Sequence, residues 1–194
     1  MERLAHLLVV VGGLVAAVVV APIGTDVAPD GSAPDPTPAP ARLSPADARL
    51  AASGREAPIV GRASPAVEFF SFDGAPVSLH DRNRPVVLLF LGPPCRDCEA
   101  ELSKAAVVAT ILFEEAWVGI LASPGAAATV QRAVSDAGAG DLVLAGVDEG
   151  DAIARGFDVS RMPYTIVLDA DARVAAAWPR SVPATVILDV VRGL

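Results

Sequence analysis

Two cysteines and two histidines are the whole supply of soft metal ligands in these 194 residues. Structural zinc takes four nitrogen or sulfur ligands, and His6 sits inside an apolar N-terminal run, so a single domain cannot close such a site. No metal or other cofactor is expected, copper on Cys95, Cys98 and His80 being the one remaining metal alternative. Basic residues are scarce too. With 15 Lys and Arg against 23 Asp and Glu and a net charge of -8, nucleic acid is excluded as a partner. There is no internal repeat and no glycine motif for binding a nucleotide.

Charge is missing altogether between Arg3 and Asp26, where Leu7 to Ala21 is almost wholly Leu, Val, Ala and Gly. About 20 apolar residues cross a bilayer core, so residues 1–25 read as a transmembrane helix. Val19-Val20-Ala21 is a poor small-x-small cleavage site and Pro22 follows it, which favours a retained signal anchor over a cleaved signal peptide. Arg3 ahead of the segment, with Asp26 and Asp30 behind it, places the rest of the chain outside the cytoplasm. Residues 26–57, with Pro34, Pro36, Pro38 and Pro40 at every second position, read as a semi-extended linker. A short helix over Ser44 to Ser53 is compatible with Ser44 as N-cap and Pro45 at the first position.

The remaining stretch, 58–194, is long enough for one core. Val67–Phe72 and Pro76–Leu79 flank the Asp73-Gly74 turn and predict a hairpin. Arg84–Leu91 predicts a strand buried on both faces, because Val86 to Leu91 is unbroken apolar sequence. Gly92, Pro93 and Pro94 force a turn, and a helix is expected from Cys95 to about Phe113, its inner side made by Leu102, Ala105, Ala106, Ala109 and Leu112. Strands over Trp117–Ala122, Leu142–Val147, Tyr164–Leu168 and Arg173–Trp178 alternate with helices over Ala126–Ala137, Asp151–Phe157 and from Pro183 to near Gly193. That alternation implies an α/β fold with a central mixed sheet, helices on both faces and an antiparallel hairpin at one edge.

Cys95-Arg96-Asp97-Cys98 opens the helix after the buried strand. Unpartnered N-H groups and the positive end of the helix dipole favour a thiolate on Cys95, and three-residue spacing puts Cys98 one turn on, within reach for a disulfide. Cys95 is the expected nucleophile and Cys98 the resolving thiol. A purely structural disulfide closing so short a loop would constrain little.

These residues resemble the thioredoxin-like superfamily, in particular its membrane-anchored extracytoplasmic TlpA, ResA, CcmG and MauD branch (redoxin, AhpC/TSA-type domains). The resemblance rests on Phe69 to Leu79, on the Phe90 to Cys98 strand-turn-CxxC element, on Glu101 three residues past Cys98, and on Arg161-Met162-Pro163-Tyr164-Thr165-Ile166-Val167-Leu168-Asp169. It implies a thioredoxin-like fold and thiol-disulfide oxidoreductase activity. It also implies a proton-relay role for Glu101 and a cis-proline at Pro163, which with Met162 would present backbone to an extended substrate. Partners would be cysteine-containing client proteins, such as apocytochrome c, an amine dehydrogenase subunit or a copper-site protein, and a membrane redox partner. Pro94 in place of the usual tryptophan, and Arg96-Asp97 between the cysteines, depart from the common pattern. Two other readings are a peroxiredoxin-like peroxidase, against which the absence of a hydroxyl in Gly92-Pro93-Pro94 counts, and a non-enzymatic assembly or metal-delivery factor.

Overall fold

The computed structural model describes residues 43–79, 83–94 and 97–194. The expected anchor, the linker up to residue 42, His80, Cys95 and Arg96 lie outside the described residues. Among the described residues no helix is long and apolar enough to cross a membrane.

Val86–Leu91 forms β3, and all six of its residues are buried. A strand with an apolar side chain at every position needs cover on both faces, since successive side chains point to opposite sides. Val87, Leu89 and Leu91 join a core built with α2 (Cys98–Ile111), α3 (Ala127–Asp136), α5 (Ala184–Arg192) and Ala51. Val86, Leu88 and Phe90 join a second core with Val67, Phe69, Leu79, Phe157 and α4 (Ala152–Gly156). Burying each such side chain is worth about 1.5–3 kcal/mol, which makes β3 the stabilising centre of the sheet.

The sheet has seven strands in the order β2-β1-β5-β4-β3-β6-β7. β3, β4 (Trp117–Ala122) and β5 (Leu144–Val147) are parallel, joined by crossovers through α2 and α3. The hairpin of β1 (Glu68–Ser71) and β2 (Pro76–Ser78) adds antiparallel to β5, and β6 (Tyr164–Leu168) with β7 (Val174–Trp178) adds antiparallel to β3. The mixed sheet matches the sequence expectation, but antiparallel hairpins close both of its edges where one was expected.

Pro45–Arg55 forms α1, the short helix expected over Ser44 to Ser53: Ser44 Oγ accepts from Asp47 N at 3.1 Å, and Trp178 Nε1 donates to Leu50 O at 2.8 Å. Its buried positions are Ala51 and Gly54, too small to announce a packed face. One expectation is corrected: α2 starts at Cys98 with Asp97 as N-cap. Cys98, and not Cys95, therefore occupies the first helical position. On the inner side of α2, Val108 is buried while Ala106 is only partly so.

Candidate active site

The register of β3 and β6 builds the site. Phe90 pairs with Tyr164 in an antiparallel ladder, so the residues leaving β3, Leu91 and Gly92, meet those entering β6, Met162 and Pro163. The Met162-Pro163 peptide is cis, and so is Pro93-Pro94, the second not foreseen from the sequence. Gly92 leaves room for this approach: a Cβ there would lie 2.5 Å from Met162 Sδ and the methionine side chain would have to shift. β4 ends beside them, Ser123 N donating to Leu91 O at 2.8 Å.

The turn out of β3 delivers the chain to the N-terminus of α2. Asp97 makes no side-chain cap, which leaves the first-turn N-H groups to act on whatever charge develops at Cys98. Cys98 is 3% exposed and disulfide-bonded. Cys98, Glu101, Met162 and Pro163 together line a cleft of about 170 Å3 whose other walls include Gly92, Pro94 and Asp97. Four of the five expected site residues thus share one cleft, and the fifth, Cys95, lies outside the described residues.

Glu101 is not the solvated carboxylate that its helix position would allow. It is 3% exposed, and Lys104 Nζ lies 2.7 Å from its Oε2. The contact is an ion pair without hydrogen-bond alignment, since Oε2 has no hydrogen-bond partner among the described residues. Lys104 is held from its far side by Ser181 Oγ at 2.9 Å. The carboxylate thus lines the same cleft as Cys98 while shielded from bulk water. Lys104 is not among the residues singled out from the sequence, although its spacing of three from Glu101 is the ion-pair signal.

Tyr164, next after Pro163, is 8% exposed. Burial, and secondarily the Asp158 carboxylate, push its phenol above the ordinary tyrosine range, so it stays protonated and neutral. Ser123 and Asp151 also escaped the sequence reading: Ser123 Oγ donates to Asp151 Oδ1 at 2.6 Å and lies 3.4 Å from Met162 Sδ. No group of three or more His, Cys, Asp or Glu is arranged to hold a metal among the described residues. His80 and Cys95 of the copper alternative are not among them.

No protein-family model matches the chain, and no curated protein matches it in sequence. Solved structures do. A DsbF homologue from Corynebacterium diphtheriae superposes with a TM-score of 0.57 at 25% identity, over 68% of this chain and 86% of the other. A secreted thiol-disulfide isomerase from Corynebacterium glutamicum gives 0.57 at 25% identity, over 66% and 82%. A secreted Mycobacterium tuberculosis disulfide oxidoreductase, homologous to E. coli DsbE, gives 0.57 at 20% identity, over 66% and 96%.

Proposed function

We propose that this chain, whose domain has the thioredoxin-like fold, is an extracytoplasmic thiol:disulfide oxidoreductase that exchanges disulfides with client proteins through Cys95 and Cys98. The observation that carries the reading is the cleft in which buried Cys98, at the first position of α2, meets Glu101 and the cis Met162-Pro163 peptide. The named activities and secreted character of the similar structures support it. The finer reading, a membrane-anchored protein of TlpA, ResA or MauD type, rests on the apolar segment 1–25 and on the residues of the resemblance.

The chemistry follows from burial. At 3% exposure Cys98 cannot be approached by a disulfide embedded in another protein, so the attacking group is Cys95. Its thiolate forms a bond to one client sulfur and displaces the other as a thiolate. The Cys98 thiolate then attacks the Cys95 sulfur, closing the intramolecular disulfide and releasing the second client thiolate. Two electrons pass to the client, and a membrane dithiol partner restores the reduced pair. The same steps in reverse oxidise a client dithiol. Glu101 takes the proton from Cys98 as it becomes nucleophilic, and Lys104 holds that carboxylate in place.

Two measurements check this. Cys98→Ala removes the resolving thiol, so covalent adducts with extracytoplasmic cysteine proteins should accumulate in cells, be cleaved by dithiothreitol and be identifiable by mass spectrometry. An absence of thiol-cleavable adducts would count against exchange. Glu101→Gln should slow the release of a preformed mixed disulfide by on the order of a hundredfold, the low end of general acid-base contributions. Equal release rates would remove Glu101 from the mechanism.

A further inference from the structure

Gly92 and Met162 border not only the reactive cleft but also a second, polar cleft of about 420 Å3, lined further by Ser123, Asp151, Arg155 and Arg161. The carboxylate among these residues is engaged, Asp151 Oδ1 accepting from Ser123 Oγ at 2.6 Å. Arg155 Nη1 donates to Gly150 O, which steadies its guanidinium. Arg161 is exposed and takes part in none of the ion pairs among the described residues, which join Arg55 to Asp189, Arg62 to Asp158, Lys104 to Glu101 and Arg192 to Glu115. In a chain of net charge -8, cations outnumber carboxylates in this cleft, immediately beside the reactive one.

We propose that this second cleft receives the client residues adjoining the reactive cysteine and selects clients that carry Asp or Glu there, with Arg161 and Arg155 as the specificity-determining residues. The proposal rests on the disulfide-exchange reading. Arg161 is joined directly to the cis Met162-Pro163 segment, so a client strand whose cysteine enters the reactive cleft runs past Arg161 as it leaves. A carboxylate on that strand meets a guanidinium that is in no ion pair among the described residues. Arg155 supplies a second, pre-positioned charge. Both cations are exposed to water, so the gain per contact is that of a surface ion pair, felt in KM and screened by salt.

The experiment uses the full chain in detergent and disulfide-linked reporter peptides of equal length whose cysteine is flanked by Asp-Glu, Asn-Gln or Lys-Lys. The acidic peptide should exceed the amide peptide by about fivefold in kcat/KM, expressed in KM, with the lysine peptide slowest. Arg161→Gln should pull the acidic-to-amide ratio toward one, Arg161→Lys should keep most of it, and Arg161→Glu should invert it. Raising NaCl from about 0.05 M to about 0.5 M should also shrink the ratio. Equal rates on the three peptides, or a ratio unchanged in Arg161→Glu, overturns the proposal while leaving exchange intact. Failure to turn over any peptide, with wild type and Cys95→Ser indistinguishable, instead overturns the exchange reading and the proposal with it.

Discussion

Cys95→Ser is expected to stop disulfide exchange, with turnover of a disulfide-linked reporter falling by at least roughly a thousandfold, because a serine hydroxyl is not ionised near neutral pH and cannot form a disulfide. The size of the effect follows from the position of the other cysteine. Cys98 is 3% exposed at the first position of α2, enclosed by Leu91, Gly92, Pro94, Met162 and Pro163. An attacking thiolate needs a clear line to the target sulfur, and Cys98 at that depth offers none to a protein-borne disulfide. Cys98 left alone therefore cannot take over the first step. Cys98→Ala differs in kind: the first bond still forms, so one equivalent of client sulfur is captured and turnover ends there. Reading the burst by stopped flow separates the variants, with no burst for Cys95→Ser and a stoichiometric one for Cys98→Ala. A Cys95→Ser protein that kept the wild-type rate would end the exchange reading.

The parts of the fold that the sequence announced are those where burial repeats along the chain. β3 was legible because Val86 to Leu91 is apolar at every position, and the sheet does cover both of its faces. The Asp73-Gly74 turn was legible because Gly74 adopts φ +85°, a conformation that glycine takes without steric cost. The start of α2 was not, because Arg96, Asp97 and Cys98 carry no periodicity from which to choose among them, and a helix boundary is set by where N-H groups find partners. Glu101 N donates to Asp97 O at 2.9 Å, which fixes Asp97 as the cap. The site was half legible. Glu101 and Pro163 came from resemblance alone, since nothing local says that a helical glutamate is buried or that a loop proline is cis. Lys104 was readable from spacing, whereas Ser123 and Asp151 meet across 28 positions of sequence and only the sheet brings them together.

Trp178→Ala should be the most damaging single change to stability, costing about 3–5 kcal/mol and lowering the melting temperature by roughly 10 °C for a domain of this size. Trp178 is 1% exposed and seals the contact between β7 and α1. Its ring lies so close to the helix that a Cβ on Gly54 would fall 2.0 Å from it, and its Nε1 donates to Leu50 O. Arg55 and Asp189 then tie α1 to α5 at 3.3 Å, an exposed pair that contributes little by itself. Three variants separate the contributions. Trp178→Phe loses the N-H donor and should cost about 1–2 kcal/mol. Gly54→Val forces α1 away from the ring and should cost about 1–3 kcal/mol through overpacking. A chain beginning at Pro58 lacks α1, uncovers Trp178 and should be destabilised about as much as Trp178→Ala. Trp178 is not among the residues lining the reactive cleft, so exchange measured near 25 °C should persist in Trp178→Phe while its melting temperature falls. Yet Trp178 pairs with Thr165 in the ladder of β7 and β6, two residues from Pro163. Loosening α1 therefore weakens the strand that carries the cis-proline, and exchange should fail on heating at the temperature where α1 detaches. If Trp178→Ala melted with the wild type, α1 would have no part in the domain.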